Sequence, residues 1–271
     1  PFAKGLPGNF DFTKHGTDGI MSADMADIIP CCDGEGEYRM AKKINAVIFD
    51  QDGLMFDTER LSLEGWEKAA RRYGICLDKG FLRDLRGCKP DKVKAAFLNE
   101  FGNSLDFDTI FEEKRRYSYQ WIRENGVPVK PGLKELLIYL KEQGVKTAVA
   151  TASSEGWTQG NVKGAGLDGY FDGYIYGDMV KEAKPDPAIF LMAAKMLGEE
   201  PDRCIILEDS FNGIKAAHAG GFLPVMVPDQ DEPDEELSKL LTARCSSLTD
   251  VIGLFEDGTF EPAGAGTVRT T

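Results

Sequence analysis

The sequence predicts an α/β fold in which a Rossmann-like parallel sheet core carries an inserted α-helical cap domain. Short apolar segments, typical of buried strands, recur at 44–50, 145–150, 173–176, 203–208 and 222–227. Helical periodicity fills 132–143, 155–165, 187–197 and 211–219 between them, and this alternation indicates a parallel sheet with right-handed crossovers. Residues 57–131 contain only helical patterns, and this is far more chain than one crossover needs.

These patterns also predict the domain boundaries. We expect residues 41–57 and 131–255 to form the core domain and residues 58–130 to form the cap, with helices near 59–74, 78–86, 90–101 and 108–125. Residues 1–40 and 256–271 are poor in large aliphatic side chains, so we expect a flexible extension and a flexible tail. The cap leaves the core beside the end of the first strand, which suits a lid with hinges near 57–59 and 129–132.

Composition argues against several classes of function. The 271 residues include 32 basic and 45 acidic side chains, a balance that disfavours binding to nucleic acid or to an anionic membrane. No apolar run approaches the roughly 20 residues of a membrane span, and no secretory signal pattern is present. The six cysteines lack metal-ligand spacing, which is typical of reduced thiols. We expect a cytoplasmic protein; the sequence does not fix its oligomeric state, and a monomer is the simplest expectation.

Two carboxylates directly follow the first predicted strand, in the segment Asp50-Gln51-Asp52-Gly53. Because an ionised Asp is costly to bury without a partner, this pair indicates a site that holds a cation. Asp50 is then a candidate nucleophile and Asp52 a candidate general acid and base. The alternative is an ordinary Asp-rich turn, since Asp and Gly are common in turns.

Polar residues also follow the next three predicted strands, and the carboxyl ends of parallel strands meet at one edge of a sheet. Thr151-Ala152-Ser153 can bind an anion, Lys184 or its neighbour Lys181 can neutralise one, and Glu208-Asp209 can ligate Mg²⁺. Each has a structural alternative: a helix cap, a solvated lysine and an acidic helix N-terminus. Their occurrence at successive strand ends favours a catalytic site.

The four segments resemble, in order, the four motifs of the haloacid dehalogenase-like (HAD) hydrolases. The matching runs are 49–54 with Asp57-Thr58-Glu59, then 151–153, then Lys184-Pro185-Asp186-Pro187, then Glu208-Asp209-Ser210 with Asn212-Gly213. The resemblance covers about residues 44–255. The helical insert resembles the small cap of the subfamily that contains β-phosphoglucomutase and many sugar-phosphate phosphatases.

The resemblance implies a role for each residue. Asp50 would attack phosphorus and form an aspartyl-phosphate, and Asp52 would protonate the leaving oxygen and then activate water. Thr151, Ala152 and Lys184 would hold the phosphoryl oxygens. The Mg²⁺ site would comprise Asp50, the backbone carbonyl of Asp52, and Glu208 with Asp209. The expected activity is a Mg²⁺-dependent phosphatase acting on a small phosphorylated metabolite, such as a sugar phosphate.

Two other functions stay open. A phosphomutase like β-phosphoglucomutase would use the same residues, although that enzyme has a His on the cap helix near the place of Ser62. A catalytically inactive relic that binds a metal or ligand would be expected to have lost a charged motif residue. Dehalogenation is disfavoured because Asp52 supplies an acid that a leaving oxygen needs and a leaving halide does not.

Substrate specificity is expected to lie on the cap. Lys89, with Arg86 behind it, is the best candidate contact between two cap helices; the alternative is a pair of solvent-facing cations. Trp66 and Trp121 are expected to pack in the cap core. His218 is expected to have no catalytic role.

Overall fold

A computed structural model describes residues 30–32, 38–85, 88, 90–102 and 106–263. The chain divides into two units, residues 1–40 and the remainder. In the first unit, strand β1 (Pro30–Cys32) pairs in antiparallel fashion with β2 (Tyr38–Met40). The sequence predicted no element there, and the rest of the predicted extension lies outside the described residues.

The second unit begins with two strands, continues with four helices and then alternates helix and strand. Its elements are β3 (Lys42–Ile44), β4 (Ala46–Phe49), α1 (Thr58–Arg72), α2 (Lys79–Leu85), α3 (Pro90–Phe101), α4 (Phe107–Asn125), α5 (Leu133–Glu142), β5 (Lys146–Ala150), α6 (Glu155–Gly164), β6 (Gly173–Ile175), α7 (Ala188–Leu197), β7 (Cys204–Glu208), α8 (Phe211–Ala219), β8 (Leu223–Met226), α9 (Glu235–Ser238), β9 (Ala243–Arg244), α10 (Asp250–Glu256) and β10 (Phe260–Pro262).

Six strands form one parallel sheet in the order β6-β5-β4-β7-β8-β9. The predicted fold class is therefore confirmed. Phe49, the last residue of β4, lies opposite Val149 of β5 and Leu207 of β7. Because these strands end level with one another, the residues that follow them meet at one edge of the sheet, as the sequence predicted.

The central strand β4 is buried on both faces. Val47 and Phe49 join one apolar cluster, together with Leu136 of α5. Ala46 and Ile48 join a second cluster, together with residues of α7. Successive side chains of a strand point to opposite faces, so helices packed on both sides require the continuous apolar run that the sequence shows.

The prediction of a flexible tail is wrong for residues 260–262, which form a strand. This strand, β10, pairs in parallel with β3. Phe260 is only 1% exposed and contacts the ring of Phe255 with ring centres 5.7 Å apart. One buried aromatic side chain and one pairing strand order this segment despite its small-residue composition.

Helices α1 to α4 pack around an aromatic cluster of their own. Trp66 is buried and stacks on Phe97 with ring centres 5.2 Å apart, which agrees with its predicted place in the cap core. Trp121 is only partly buried, and the guanidinium carbon of Arg60 lies 5.3 Å from its ring centre. The cap boundaries at 58 and 130 stay a prediction.

The two segments that join these helices to the sheet lie side by side. Phe56 and Val129 form an antiparallel bridge. The Asp57 amide donates to the Pro128 carbonyl at 2.8 Å, and the Lys130 amide donates to the Met55 carbonyl at 2.9 Å. Both segments coincide with the predicted hinges, whose movement stays a prediction.

Among the described residues, no helix combines the length and apolarity that crossing a membrane requires. The longest, α4, has 19 residues and carries charged side chains along its length. Cys76, Cys88, Cys204 and Cys245 are free thiols.

Candidate active site

Asp50 follows β4 and forms the centre of the candidate site. Its amide donates to the Leu207 carbonyl at 3.0 Å, so the sheet fixes its backbone. The Lys184 ammonium donates to Asp50 Oδ1, to Glu208 Oε1 at 2.6 Å and to the Ala150 carbonyl at 3.3 Å. Lys184 is 2% exposed and Asp50 7% exposed. The structure therefore brings three predicted site residues together in one buried ion-pair cluster.

Lys184 is the buried one of the two candidate cations, because Lys181 is exposed. An ammonium group has three N–H donors, and in this structure the three recorded bonds use all of them on protein oxygens. The contacts therefore assign Lys184 to neutralising and orienting Asp50. Its predicted direct contact with a phosphoryl oxygen stays a prediction.

Glu208 has its carboxylate occupied by protein donors. While Oε1 accepts from Lys184, Oε2 accepts from the amides of Asp209 and Ser210, at 3.1 and 2.9 Å, and from the Ser210 hydroxyl at 2.9 Å. Gly213 packs directly against this carboxylate, since a Cβ added there would lie 1.8 Å from Oε1. Only glycine allows the turn after β7 to close on Glu208.

Gly213→Ala is expected to displace Glu208 and, through it, Lys184. Overpacking a buried site typically costs about 2 kcal/mol of stability. A misplaced catalytic group can cost about 100-fold in turnover. Thermal melts and steady-state kinetics check both effects.

The matched control is Gly160→Ala, because Gly160 lies within α6 and a Cβ there meets nothing within 4 Å. That change is expected to be neutral or to stabilise by about 0.5–1 kcal/mol. Wild-type melting and turnover in Gly213→Ala would contradict the packing argument.

Three carboxylates fit a divalent cation. Asp50, Glu208 and Asp209 each offer one oxygen, and these atoms lie within 4.8 Å of one another. Asp209 Oδ1 is buried and has no hydrogen-bond partner among the described residues, as expected of an atom that can ligate a cation. Gly53, at φ 92°, leaves room beside it, since a Cβ there would lie 2.3 Å from Asp209 Oδ2. Oxygen ligands of this kind suit Mg²⁺.

The pKa values reflect this crowding. Burial raises the pKa of Asp50 to about 8, although Lys184 opposes the shift. Burial, followed by repulsion from Glu208 and Asp50, raises the pKa of Asp209 well above its ordinary value. Burial alone would lower the pKa of Lys184, but Asp50 and Glu208 raise it. One ammonium thus does not offset all the negative charge, which a divalent cation would neutralise.

The stability of the metal-free protein is expected to fall as pH rises from about 4 to about 8. In that window Asp50 holds a proton in the folded state but not in the unfolded chain, where its pKa is near 3.8. The unfolded state therefore binds fewer protons, and the free energy of unfolding decreases by up to about 1.4 kcal/mol per pH unit.

Thermal melts across this pH range, with EDTA or with millimolar Mg²⁺, measure the effect. Mg²⁺ is expected to flatten the slope, since a cation favours the ionised carboxylates. Asp50→Asn is expected to reduce the slope without Mg²⁺ and to leave the part that Asp209 contributes. Equal slopes for the wild type and Asp50→Asn in EDTA would contradict the raised pKa.

The Asp52 carboxylate lies apart from the acidic cluster and accepts four hydrogen bonds. The donors to Oδ1 are the Thr58 hydroxyl at 2.6 Å and the Trp157 indole N–H at 3.0 Å. The donors to Oδ2 are the Ser153 hydroxyl at 2.6 Å and the Gln51 amide at 3.2 Å. Asp52 is therefore held in a fixed orientation beside Asp50, and its predicted share in the metal site is through its backbone carbonyl.

The predicted anion-binding turn follows β5 directly. The Thr151 amide donates to the Ile175 carbonyl, and the Thr151 hydroxyl accepts from the Ser153 amide at 3.1 Å. Thr151, Ala152 and Ser153 line the same cavity as Asp50 and Asp52. The turn precedes α6, so its position suits an anion.

That cavity has a volume of about 450 Å³ and lies between the sheet edge and the helical insert. The insert supplies an apolar part that includes Leu63, Trp66 and Phe111. It also supplies a polar part, made by Glu59, Ser62, Lys114, Arg115, Ser118 and Tyr119. Ser62, which the resemblance puts near the place of the mutase's His, thus lines the cavity.

Lys114 and Trp157 are cavity residues that the sequence analysis missed. Burial lowers the pKa of the Lys114 ammonium, and Glu59 and Asp52 partly oppose this. The ammonium lies 5.9 Å from the Trp66 ring centre. In the sequence Lys114 is one of three consecutive cations on a helix, so nothing distinguishes it from a solvated residue.

Three other residues were considered in the sequence. The predicted cap contacts Lys89 and Arg86 lie outside the described residues. His218 is exposed on α8.

Known proteins resemble this chain in sequence and in fold. A family model described as haloacid dehalogenase-like hydrolase matches residues 44–221. The phosphorylated carbohydrates phosphatase of Thermotoga maritima is 33% identical over 183 residues, covering 66% of this chain and 82% of that protein. The fructose-1-phosphate phosphatase YqaB of Escherichia coli is 28% identical over 184 residues, covering 67% of this chain and 95% of that protein. A crystal structure of β-phosphoglucomutase from Clostridium difficile superposes with a TM-score of 0.66 at 28% identity, over 79% of this chain and 97% of that one.

Proposed function

Because this chain belongs to the haloacid dehalogenase-like hydrolase family, we propose that it is a Mg²⁺-dependent phosphatase of a small phosphorylated carbohydrate. The observation that carries the proposal is the position of Asp50, held by Lys184 at the floor of a cavity that Asp52 also lines. The predicted enzyme class, a phosphoric monoester hydrolase, is confirmed by the family match and by relatives that are named phosphatases.

In the first half-reaction Asp50 attacks phosphorus in line with the leaving oxygen. The bond between phosphorus and that oxygen breaks, an aspartyl-phosphate forms at Asp50, and Asp52 gives its proton to the departing alcohol. Lys184 stays bound to Asp50 and Glu208 and so keeps the nucleophile in place. Thr151 and Ala152 line the same cavity, and in this proposal they bind the phosphoryl oxygens.

In the second half-reaction the ionised Asp52 takes a proton from water, and the resulting hydroxide attacks the aspartyl-phosphate. Inorganic phosphate leaves, Asp50 is restored as a carboxylate and Asp52 regains its proton, so the cycle balances as ester plus water to alcohol plus phosphate. The Mg²⁺ ion would be held by Asp50, Glu208 and Asp209, with the backbone carbonyl of Asp52 as a further proposed ligand. A bound Mg²⁺ neutralises charge on the phosphoryl group and favours the ionised form of Asp50.

The cavity beyond the phosphate suits a hydroxylated leaving group. The Ser62 and Ser118 hydroxyls can donate to or accept from sugar hydroxyl groups, and the Lys114 ammonium can donate to them. All three residues line the cavity from the helical insert. The apolar side, with Leu63 and Phe111, can cover the carbon skeleton of a sugar. The two relatives named above are phosphatases of phosphorylated carbohydrates and of fructose 1-phosphate, which agrees with this chemistry.

Phosphate release from a panel of sugar phosphates, nucleotides and phosphoglycolate, with and without Mg²⁺, tests the proposal. We expect Mg²⁺-dependent release from a narrow group of sugar phosphates, and EDTA is expected to abolish it. Metal-independent release, or release from nucleotides alone, would contradict the proposal.

The same panel includes β-glucose 1-phosphate, because the structural similarity to β-phosphoglucomutase favours a mutase as the second candidate. Conversion to glucose 6-phosphate without phosphate release would establish the mutase. Ser62 in the cavity weakens this alternative, because a serine hydroxyl does not titrate near neutral pH as a His does.

A further inference from the structure

We propose that Trp157 is a positioning residue for Asp52 and that Tyr119 braces Trp157 from the helical insert. The proposal deepens the phosphatase function proposed above and rests on it. Trp157 lies in the first turn of α6, beside the sheet edge, whereas Tyr119 lies on α4. Both residues line the cavity that holds Asp50 and Asp52.

The indole of Trp157 fixes one oxygen of Asp52. Its N–H donates to Oδ1 at 3.0 Å, and an indole N–H can only donate. At Oδ2 the closer partner is the Ser153 hydroxyl, at 2.6 Å, which can both donate and accept. The Thr58 hydroxyl donates to Oδ1 at 2.6 Å as well, so the indole and the two hydroxyls together fix the plane of the carboxylate. Trp157 thereby keeps Asp52 in the orientation in which it transfers its proton.

Tyr119 contacts the other side of this arrangement. Its ring meets the Trp157 ring edge to face, with centres 4.7 Å apart and planes at 77°. Tyr119 is 45% exposed, so this contact is not part of the aromatic core that Trp66 forms within the insert. A contact from α4 thus holds the indole of Trp157 in place, and the indole in turn holds the Asp52 carboxylate.

This role makes a specific chemical prediction. A poorly placed acid slows the cleavage of an ester whose leaving alcohol needs a proton, such as a sugar phosphate. It has little effect on an activated ester, whose leaving group departs as an anion. A merely structural role of Trp157 would slow both reactions alike.

The test compares kcat/KM for the best sugar phosphate and for p-nitrophenyl phosphate, in the wild type and four variants. This quantity reports the first half-reaction, in which Asp52 acts as the acid. Trp157→Phe removes the N–H and keeps an aromatic ring. It is expected to lose about tenfold with the sugar phosphate and less than about threefold with the activated ester. Asp52→Asn is expected to show the same selectivity with a larger loss.

Trp121→Phe is the matched control, because Trp121 lies on α4 and its described ring contact is with Arg60. It is expected to retain wild-type kinetics with both esters. Tyr119→Ala tests the contact from the helical insert, since it removes an exposed ring and leaves the sheet intact. We expect it to show the same selectivity as Trp157→Phe, with a smaller loss.

Equal losses with both esters, or no loss with either, would overturn the proposal. Should Trp157→Phe fail to fold, Tyr119→Ala decides the question, and unselective kinetics in that variant would overturn the proposal. A wild-type protein that hydrolyses neither ester would remove the proposed phosphatase function and this role together. An active wild type with unselective variants would remove only the role of Trp157.

Discussion

Asp50→Asn is expected to lower phosphatase turnover by about 10⁴-fold or more, because an amide does not form the phosphoryl intermediate. Asn has almost the same shape as Asp, and its amide oxygen can still accept from Lys184. The fold is therefore expected to remain intact. Since the raised pKa of Asp50 marks a carboxylate that is costly to bury, the metal-free variant is expected to melt no lower than the wild type.

Phosphate release under saturating substrate measures the loss, and intact mass spectrometry after acid quenching detects the phosphoryl adduct. We expect the adduct in the wild type and not in Asp50→Asn. Asp202→Asn is the matched control, since Asp202 is exposed and precedes β7, at the opposite edge of the sheet. A folded Asp50→Asn protein with wild-type turnover would exclude Asp50 as the nucleophile.

Lys184→Met is expected to damage both stability and activity. Methionine has a similar length but no charge, so Asp50 and Glu208 would face each other without a cation. Removing one partner of a buried ion pair typically costs about 3–5 kcal/mol. Turnover is expected to fall about 100-fold or more, because Asp50 loses the contact that orients it.

Mg²⁺ is expected to stabilise Lys184→Met more than it stabilises the wild type, since the variant has one more uncompensated negative charge. Chemical denaturation with EDTA and with Mg²⁺ measures this difference. Lys181→Met is the matched control from the same loop, exposed at the surface and expected to change stability by less than about 0.5 kcal/mol. Wild-type stability in metal-free Lys184→Met would contradict the electrostatic account.

Most strands and helices of the sheet domain and the insert could be predicted from local sequence patterns. The strands β4, β5, β6, β7 and β8 and the helices between them lie within two residues of their predicted bounds. This agreement has a physical cause, since strands covered on both faces need unbroken apolar runs and helices need a repeating apolar face. The failures were short elements. Strand β10 was not predicted, because its three residues are too few to show an alternating apolar pattern.

Part of the candidate site could also be predicted from the sequence, because segments that follow successive strands of a parallel sheet lie at one edge of that sheet. Asp50, Thr151, Lys184 and Glu208 were named on that ground, and the structure brings them together. Their catalytic roles stay predictions. Lys114 and Trp157 could not be named, because each sits on a helix whose sequence is ordinary. Lys114 lines the cavity because the insert packs over the sheet, and Trp157 lines it because α6 begins at the sheet edge.

Local composition and spacing therefore specify the family, the sheet and the chemical types of the residues at its edge. Which of those residues contact one another depends on the three-dimensional packing. Lys184 meets Asp50 across 134 positions of the chain and Trp157 meets Asp52 across 105. Distances of that kind are set by the packing of whole elements, and burial then determines the charge states. The raised pKa of Asp50 is a property of that packing, since the same Asp in a short peptide would titrate near 3.8.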